Sequence, residues 1–494
     1  MYMQKRFFII NVFIMTGSML VIRIAGMISN IYIASAAGAE AMGLYQVIFA
    51  VYSFAVTLSV SGMSLCATRL VSESGANEVE IMKRCFFAAA VMSFVSAALL
   101  FFGAGSVARI SGDMRCAPAL RVLSLTLPPI AASAVIRGFM IAKRRAAIIT
   151  ISQITEEFSA IAVSLLLLRN FSHTPQAYMC MIAGCFVSET AAFVFDISAY
   201  AIIGKDTHCS KNSDNLWKRI FEISVPVALG SYLRAGLVAL ENMLVPLNLA
   251  RAGTQNALGE YGEVKSMAMQ ILLFPAAFIQ SFSSMLVPEM SEMLSVSRKN
   301  GIRYVSSLSV HYTLAFAIGA AALLFGYHDS IAGAMYSERD VGVYLGYLSF
   351  LAVPMYLDTV VDSILKGLNQ QMSNLRYNIT DSILRVAAII IFLPKFGILA
   401  YIAILYVSEL FNLTLSYHRL VVVSCVRVSL WRAVAVPSLC ACAALKAAQT
   451  VGFRYFVSEM IFFCVIYTVL CTLVNQIKPS SFCEIPIGKR RYIF

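Results

Sequence analysis

Two arginines stand inside long apolar stretches of the 494-residue sequence, Arg23 in VIRIAG and Arg234 in SYLRAG. A charged side chain at the middle of a bilayer costs roughly 2.5–3.5 kcal/mol on insertion scales, so such residues usually face a polar interior. A guanidinium group binds phosphate through two parallel hydrogen bonds, which makes a phosphorylated anion the natural ligand. The alternative is that each arginine reaches the membrane surface or pairs with a nearby carboxylate.

Asn378, Asp381 and Arg385 form a second polar group inside an apolar stretch. Their spacing of three and four residues places them on one face of a helix. Two interpretations are open for Asp381. It either contributes to a cation site with Asn378, or it neutralises Arg385 four residues further on.

Two more polar lines lie on single helical faces. Asp358 and Asp362 continue into Lys366 at spacings of four residues, which we interpret as a solvated, self-neutralising stripe, with a proton path as the alternative. Glu189 and Asp196 share a face in the same way and have the same two interpretations.

The elements that hold these residues are membrane-spanning helices, because 59% of the residues are hydrophobic and only 13% are charged. Apolar runs long enough to cross a hydrocarbon core of about 30 Å recur along the chain, without the alternation of barrel strands. We therefore expect an all-α polytopic membrane protein. Fourteen spans are predicted, near residues 8–34, 44–68, 85–108, 119–142, 146–168, 177–203, 218–248, 264–290, 305–327, 341–365, 375–394, 397–417, 431–450 and 455–476.

The net charge of +12 is explained by topology rather than by nucleic-acid binding. Most Lys and Arg residues fall in alternate connections and in the two tails, as the positive-inside rule requires if both termini are cytoplasmic. The 12 Cys residues are scattered, mostly within spans, and predict neither a metal site nor a disulfide framework.

The sequence contains a weak internal repeat. The segments GLYQ…LVSE from Gly43 and GEYG…LVPE from Gly259 match without gaps at an offset of 216 residues. Arg23 and Arg234 then lie at similar depth in the first helix of each half, as in parallel repeats that enclose a central site. We predict two pseudo-symmetric six-helix lobes and a final helix pair, at residues 1–205, 206–420 and 421–494, with both arginines facing a shared water-filled cavity.

Two segments resemble the stage V sporulation protein B type of polysaccharide-export proteins: RIAGMISNIYIASAAGAEAMGLYQ, from Arg23, and ISVPVALGSYLRAGLVALENMLVPL, from Ile223. That family belongs with lipid II flippases of the MurJ kind, in a group that includes multidrug and toxin extrusion transporters. The resemblance implies a flippase of the bacterial cytoplasmic membrane that moves an undecaprenyl-diphosphate-linked oligosaccharide or peptidoglycan precursor by alternating access. It also implies partners among cell-wall or spore-cortex synthesis proteins, and we expect a monomer.

The resemblance indicates which residues bind the substrate. Arg23 matches one of the cavity arginines on the first helix of these flippases, and Arg234 is its partner in the repeat. Ser29 and Asn30 stand where the flippases have an Arg-Asp pair. The difference is consistent with another head group or with a redistributed basic surface.

The resemblance also implies a coupling-ion site. Glu241 takes the place of an aspartate on the seventh helix, which shares an ion site with the eleventh helix in sodium-coupled relatives. Glu241, Asn378 and Asp381 would supply hard oxygen ligands for Na⁺ or H⁺. No other cofactor or metal is expected.

Three other functions fit the sequence less well. A cation-coupled multidrug exporter is disfavoured because cavity arginines would repel cationic drugs. A membrane glycosyl-polymerase or ligase would need a large outside loop, and the predicted outside loops are short. A scaffold explains neither the intramembrane charges nor the repeat, and the sequence has no P-loop, HExxH or GxSxG motif, so we expect no enzyme.

Overall fold

The computed structural model describes residues 22, 24–60, 62–72, 77–143, 145–171, 174, 176–203, 216–336, 340–424, 426, 431–451 and 455–474, and within those ranges it contains helices and no strand. Short π-helical turns at Glu263–Ala268 and Trp431–Ala435 join the neighbouring helices. The helices are α1 (Ile24–Ala37), α2 (Ala39–Val60), α3 (Met63–Val71), α4 (Glu78–Ser111), α5 (Cys116–Ser124), α6 (Leu127–Ala142), α7 (Ala146–Phe171), α8 (Ala177–Ile203), α9 (Leu216–Arg251), α10 (Ala257–Gly262), α11 (Met269–Ser295), α12 (Lys299–Gly326), α13 (His328–Met335), α14 (Asp340–Leu348), α15 (Ala352–Gly367), α16 (Gln371–Ser424), α17 (Val436–Val451) and α18 (Phe456–Leu473).

The chain is a multi-pass membrane protein. In its described part, 11 helical segments are long and apolar enough to cross a membrane, or up to 12 if α5 and α6, bent by 45°, form one span. The all-α fold class is confirmed, whereas the number fourteen is not. Most of the first predicted span lies outside the described residues, and two other predicted spans, 375–394 and 397–417, fall within α16.

Local breaks explain where the helices end. Gly62 has a φ of 81°, a left-handed conformation that favours glycine, and it separates α2 from α3. Gly397 interrupts the 54-residue α16 with φ 60° and ψ −148°, three residues after Pro394. The side chain of Asn77 caps α4 by accepting a hydrogen bond of 3.2 Å from the backbone N–H of Glu80.

The helices form two compact units: the described residues of Met1–Gly262 and Ile389–Gly397 form unit 1, and those of Glu263–Ala388 and Ile398–Phe494 form unit 2. The predicted lobes follow the sequence repeat, whereas these units follow packing. In particular, α9, the predicted first helix of the second lobe, packs against α2 and belongs to unit 1. The division into lobes stays a prediction.

Unit 1 is built around α2, which packs against α4, α6, α9 and α10. Its contact with α10 is backbone to backbone, because a Cβ atom on Gly43 would lie 2.0 Å from the carbonyl oxygen of Leu258. The phenol of Tyr261 on α10 donates a hydrogen bond to the side chain of Asn242 on α9. These contacts hold α10 against both α2 and α9.

In unit 2, α15 packs against α11 and α12. The side chain of Asn412 on α16 also bonds to Asp358 on α15. The Ser291 hydroxyl on α11 donates a hydrogen bond of 3.0 Å to the carbonyl oxygen of Gly367. The final helices α17 and α18 pack on α12, where the phenol of Tyr467 donates to the carbonyl oxygen of Ala315 at 2.6 Å and its ring covers Gly319.

The two units share a local pattern. Each contains a helix of 9 residues, a short break and a helix of 16 residues, α5–α6 in unit 1 and α14–α15 in unit 2. A long helix follows after the same short interval, α7 in one case and α16 in the other. This pattern allows the polar positions of the two units to be compared residue by residue.

Candidate functional site

A partly buried ionic network joins three helices of unit 1. Arg137 on α6 donates from Nη2 to Oε2 of Glu156 on α7 at 2.7 Å, and from Nε to Oδ2 of Asp196 on α8 at 3.1 Å. Its Nη2 also donates to the hydroxyl of Ser152 at 3.2 Å. The Asp196 side chain is only 3% exposed, so this carboxylate depends on the guanidinium for its charge balance.

Two further carboxylates lie near this network. Glu189 on α8 is repelled by Glu156 and attracted by Arg137, so it interacts electrostatically with two members of the network. Glu157 reaches α1, where its Oε1 lies 2.5 Å from the position that a Cβ atom on Gly26 would occupy. Of the two predicted residues on α8, Asp196 is a member of the network and Glu189 is its neighbour.

The predicted substrate residues are only partly described. Arg23 lies outside the described residues. Arg234 is exposed on α9, and no described side chain forms an ion pair with it. Ser29 on α1 is buried, and its hydroxyl has no hydrogen-bond partner among the described residues, while Asn30 is half-buried. The pairing of Arg23 with Arg234 stays a prediction.

In unit 2 Asp381 forms an ion pair with Arg385, which is one of the two interpretations of Asp381 that the sequence allows. Arg385 donates from Nη2 to Oδ2 of Asp381 at 2.6 Å, and from Nε to the hydroxyl of Ser408 at 2.8 Å. That hydroxyl in turn donates to Oδ1 of Asp381 at 2.5 Å. Both oxygens of Asp381 are therefore engaged, and Asp381 neutralises Arg385 in this conformation.

The other predicted ion ligands are divided between the two units. The amide of Asn378 donates to the backbone carbonyl of Asn374 at 2.9 Å and to its side-chain oxygen at 3.3 Å, so it bonds within its own helix. Glu241 is buried at 3% exposure on α9, which belongs to unit 1, whereas Asn378 and Asp381 belong to unit 2. A site formed by Glu241, Asn378 and Asp381 stays a prediction.

Asp358 does not belong to a solvated stripe, and that interpretation is wrong for this residue. Its side chain on α15 is buried, and Nδ2 of Asn412 on α16 donates to its Oδ2 at 2.9 Å. Asp362 is half-buried and Lys366 is exposed, so the line runs from the interior to the surface. Spacing identifies a shared helical face, but it does not tell which neighbouring helix covers that face.

Unit 2 contains more acid than base around Asp358. The carboxylates of Asp362, Glu409 and Asp381 lie close enough to repel its charge. Arg385 attracts Glu409, but its guanidinium is already bound to Asp381. The group therefore favours a bound cation or proton.

Sequence reasoning missed several members of both networks. Arg137 lies near the end of the predicted span 119–142, where the positive-inside rule assigns a basic residue to the cytoplasm, although apolar residues flank it on both sides in SAVIRGFMI. Glu156 and Glu157 lie in the middle of an apolar stretch, which is the same signal that identified Arg23. Ser408 and Asn412 give no such signal, because neutral polar residues are common in membrane helices.

Comparisons with known proteins agree with this architecture. A model of the family described as "Polysaccharide biosynthesis protein" matches residues 8–294. Stage V sporulation protein B of Bacillus subtilis (strain 168) is 23% identical over 417 residues, which is 80% of this chain and 80% of that protein. Sporulation protein YkvU of the same organism is 22% identical over 330 residues, 65% of this chain and 73% of that protein.

Solved structures share the fold. The lipid II flippase MurJ in its inward closed conformation has a TM-score of 0.73 at 13% identity, covering 94% of this chain and 99% of that one. An inward-facing multidrug resistance MATE family transporter of the MOP superfamily has a TM-score of 0.62 at 14% identity, covering 83% of this chain and 98% of that one. The chain therefore has a MurJ/MATE-like fold, and by the match to more than half of its length it belongs to the polysaccharide biosynthesis protein family.

Proposed function

We propose that this protein is a flippase that moves an undecaprenyl-diphosphate-linked oligosaccharide or peptidoglycan precursor across the bacterial cytoplasmic membrane by alternating access. The main support is the match of 94% of the chain to the fold of a lipid II flippase, in a member of a polysaccharide biosynthesis family. In this proposal both termini are cytoplasmic, the working unit is a monomer, and the substrate comes from cell-wall or spore-cortex synthesis proteins.

The intramembrane charges support transport over a passive role. A scaffold needs only apolar helices, whereas both units place buried carboxylates beside guanidinium groups on membrane-spanning helices: Asp196 with Arg137, and Asp381 with Arg385. Such groups are costly in a bilayer and mark substrate or ion pathways. We propose Na⁺ or H⁺ as the coupling ion.

Arg234 is the described residue best suited to bind the diphosphate. It is exposed, and no carboxylate of the described residues neutralises it, so its planar fork is available to a ligand. We propose that Arg23 supplies the second fork, and that Ser29 and Asn30 contact the head group from α1. A diphosphate offers enough oxygens for two bidentate contacts.

The proposal is tested by reconstituting the protein in liposomes with a fluorescent undecaprenyl-diphosphate sugar and measuring its transfer between leaflets. We expect Arg234→Ala to lower the transfer rate roughly ten- to a hundredfold, because one charge-assisted contact contributes about 1.5–3 kcal/mol. Arg234→Lys should recover part of the loss, since it restores the charge without the fork.

Arg251→Ala is the matched control, because Arg251 ends the same helix and bonds to Asn248 one turn before it. Its transfer rate should equal that of the wild-type protein. Equal rates in correctly folded Arg234→Ala would mean that Arg234 is structural. No transfer of any diphosphate-linked sugar, with uptake of a cationic dye instead, would replace the flippase by the multidrug exporter that the MATE-like fold also permits.

A further inference from the structure

An apolar groove runs between the N-terminal halves of α4 and α9 in unit 1, and we call it the α4–α9 groove. It encloses a cavity of about 220 Å³, and its lining residues recur every three or four positions along both helices. They include Phe87 and Val91 of α4 and Trp217, Phe221, Val225 and Leu229 of α9. Phe87, Phe221 and Leu229 are 62%, 58% and 62% exposed, so the groove is open on its outer side.

The hydroxyl groups along the groove bond to the protein itself. Ser224 donates to the carbonyl oxygen of Ile220 at 2.8 Å, and the phenol of Tyr232 donates to the carbonyl oxygen of Leu58 at 3.2 Å. Both side chains are thereby satisfied without a ligand. A ligand that fills the groove is therefore apolar where it touches these walls, as a hydrocarbon chain is.

The groove ends in an aromatic and cationic cluster where α4 and α9 begin. The rings of Trp217 and Phe87 pack edge to face with 5.9 Å between their centres, and Cζ of Arg84 lies 5.9 Å from the centre of the Trp217 ring. Nε of Arg84 donates to Oε1 of Glu80 at 2.7 Å, but its two Nη atoms bond to no described residue. The indole N–H of Trp217 has no acceptor among the described residues either. These donors are available to an anion.

More positive charge surrounds this end of the groove. Lys218 lies on the groove face of α9, and Glu222 is 4.0 Å from it, but both side chains are largely exposed, so the pair is weak. Lys83 is exposed and forms no ion pair with a described residue. Glu78 is already bound to Lys143 at 2.7 Å. Positive charge is therefore left for an anion at this end, which is cytoplasmic in the predicted topology.

We propose that the α4–α9 groove binds an anionic glycerophospholipid. An acyl chain would fill the groove, and the phosphate would accept bonds from Arg84, Lys218 and the indole N–H of Trp217. Basic pockets between membrane helices bind anionic head groups, and tryptophan is enriched at the depth of the head groups. A zwitterionic lipid has the same acyl chains but no net charge, so the groove should prefer the anionic lipid.

The groove is separate from the site proposed for the diphosphate. Arg234 follows Tyr232 by two residues, which places it on the opposite side of α9 from the groove. Phospholipid binding therefore does not depend on the proposed flippase function.

The test uses the two tryptophans of the sequence, Trp217 and Trp431, as separate reporters. The full-length Trp431→Phe protein, whose one tryptophan is Trp217, is reconstituted in phosphatidylcholine vesicles. These contain increasing fractions of phosphatidylglycerol or phosphatidylcholine with brominated acyl chains, which quench a tryptophan on contact. We expect brominated phosphatidylglycerol to reach half-maximal quenching at a roughly tenfold lower fraction than brominated phosphatidylcholine, because two basic residues attract its head group.

Trp217→Phe is the matched control, since it leaves Trp431 as the reporter. Trp431 is 69% exposed at the start of the π-helical turn before α17, and it does not line the groove. The two brominated lipids should quench Trp431 at fractions that differ by less than about twofold, as lipids that merely surround the protein would.

Substitutions in the groove should act on the two parts of the lipid separately. Arg84→Ala and Lys218→Ala should each lower the phosphatidylglycerol preference at Trp217 roughly threefold or more, and the largely exposed Lys218 keeps the test open if Arg84→Ala does not fold. Arg109→Ala, in the exposed last turn of α4, is their control and should leave the preference unchanged. Ala88→Phe should fill the groove and reduce quenching of Trp217 by both lipids.

Three results would overturn the proposal: equal quenching of Trp217 by the two lipids, the same phosphatidylglycerol preference at Trp431 as at Trp217, or an unchanged preference in the folded Arg84→Ala and Lys218→Ala proteins. An undecaprenyl-diphosphate sugar that displaces brominated phosphatidylglycerol at lower concentrations than unbrominated phosphatidylglycerol does would assign the groove to that lipid-linked sugar, which also overturns it. Because the assay measures no transfer between leaflets, a phosphatidylglycerol preference without sugar transfer would refute the flippase function and leave the phospholipid site in place.

Discussion

Unit 1 and unit 2 have ionisable residues at corresponding positions of corresponding helices, α6 with α15 and α7 with α16. In the first pair of helices the two residues have opposite charge. Arg137 follows the start of α6 by ten residues, and Asp362 follows the start of α15 by the same interval. Glu156 on α7 and Asp381 on α16 likewise match. In unit 1 the two corresponding residues, Arg137 and Glu156, form an ion pair between α6 and α7. In unit 2 the corresponding residues are both acids, and the arginine that pairs with Asp381 lies on α16 itself.

This difference indicates different roles. In unit 1 the guanidinium of Arg137 bonds to side chains on two other helices, which holds α6, α7 and α8 together. In unit 2 the ion pair of Asp381 with Arg385 lies within one helix and leaves Asp358 without a basic partner among the described residues. We therefore expect the Arg137 network to hold the helices of unit 1 together, and the carboxylates around Asp358 in unit 2 to attract cations.

Removing the Arg137 guanidinium should have the largest effect on the free energy of unfolding. Arg137→Met would leave the buried Asp196 and the half-buried Glu156 without a counter-charge, so we expect a loss of roughly 3–5 kcal/mol in the free energy of unfolding. Unfolding in mixed micelles at increasing SDS would measure it. The triple variant that adds Glu156→Gln and Asp196→Asn to Arg137→Met should recover much of the loss. Unchanged stability of Arg137→Met would show that the network does not hold α6, α7 and α8 together.

The ion pair of unit 2 should be weaker and self-contained. Asp381→Asn alone should cost roughly 2 kcal/mol or less, because Arg385 keeps its bond to Ser408. Adding Arg385→Gln should restore stability and transport. A double variant that transports no better than Asp381→Asn would instead favour a direct role of Asp381 in ion binding, as the predicted site with Glu241 and Asn378 requires.

Much of this could be predicted from the sequence, because spacing determines which residues share a helical face. The spacing of Asp381 and Arg385 predicted either an ion pair or a cation site, and the structure forms the pair. Burial could not be predicted for Asp358, since it depends on α16 packing over α15. Arg137 was missed because positive charges near predicted helix ends are usually cytoplasmic, and a one-dimensional pattern does not show Asp196 beside it.

The rigidity of unit 1 can be tested at one of its close backbone contacts. Gly43→Ala would place a Cβ atom 2.0 Å from the Leu258 carbonyl oxygen, so the two helices must separate, at a cost of roughly 1–3 kcal/mol. Gly103→Ala in α4 is the control, because no atom lies within 4 Å of that Cβ position. It should stabilise the protein by up to about 1 kcal/mol. Equal unfolding curves for the two variants would contradict the close packing.

Reversing the charge that distinguishes the units should have the smallest effect on stability and a specific effect on ions. Asp362→Arg gives α15 the sign that α6 has at the matching position. A guanidinium beside Asp358 would repel the proposed coupling ion, Na⁺ or H⁺. We therefore expect NaCl to raise the unfolding temperature of Asp362→Arg less than that of the wild-type protein, with an affinity reduced roughly tenfold. The measurement is the unfolding temperature over a NaCl series at constant ionic strength. An unchanged Na⁺ response would show that Asp362 does not contribute to the field at Asp358.

The flippase proposal is tested most directly by comparing two substrates in the same liposomes. One is a fluorescent undecaprenyl-diphosphate sugar, whose transfer between leaflets is followed by a membrane-impermeant quencher, and the other is a cationic dye. We expect the wild-type protein to transfer the lipid-linked sugar faster than protein-free liposomes do, and to leave the dye distribution unchanged. Transport of the dye without transfer of the sugar would contradict the proposal.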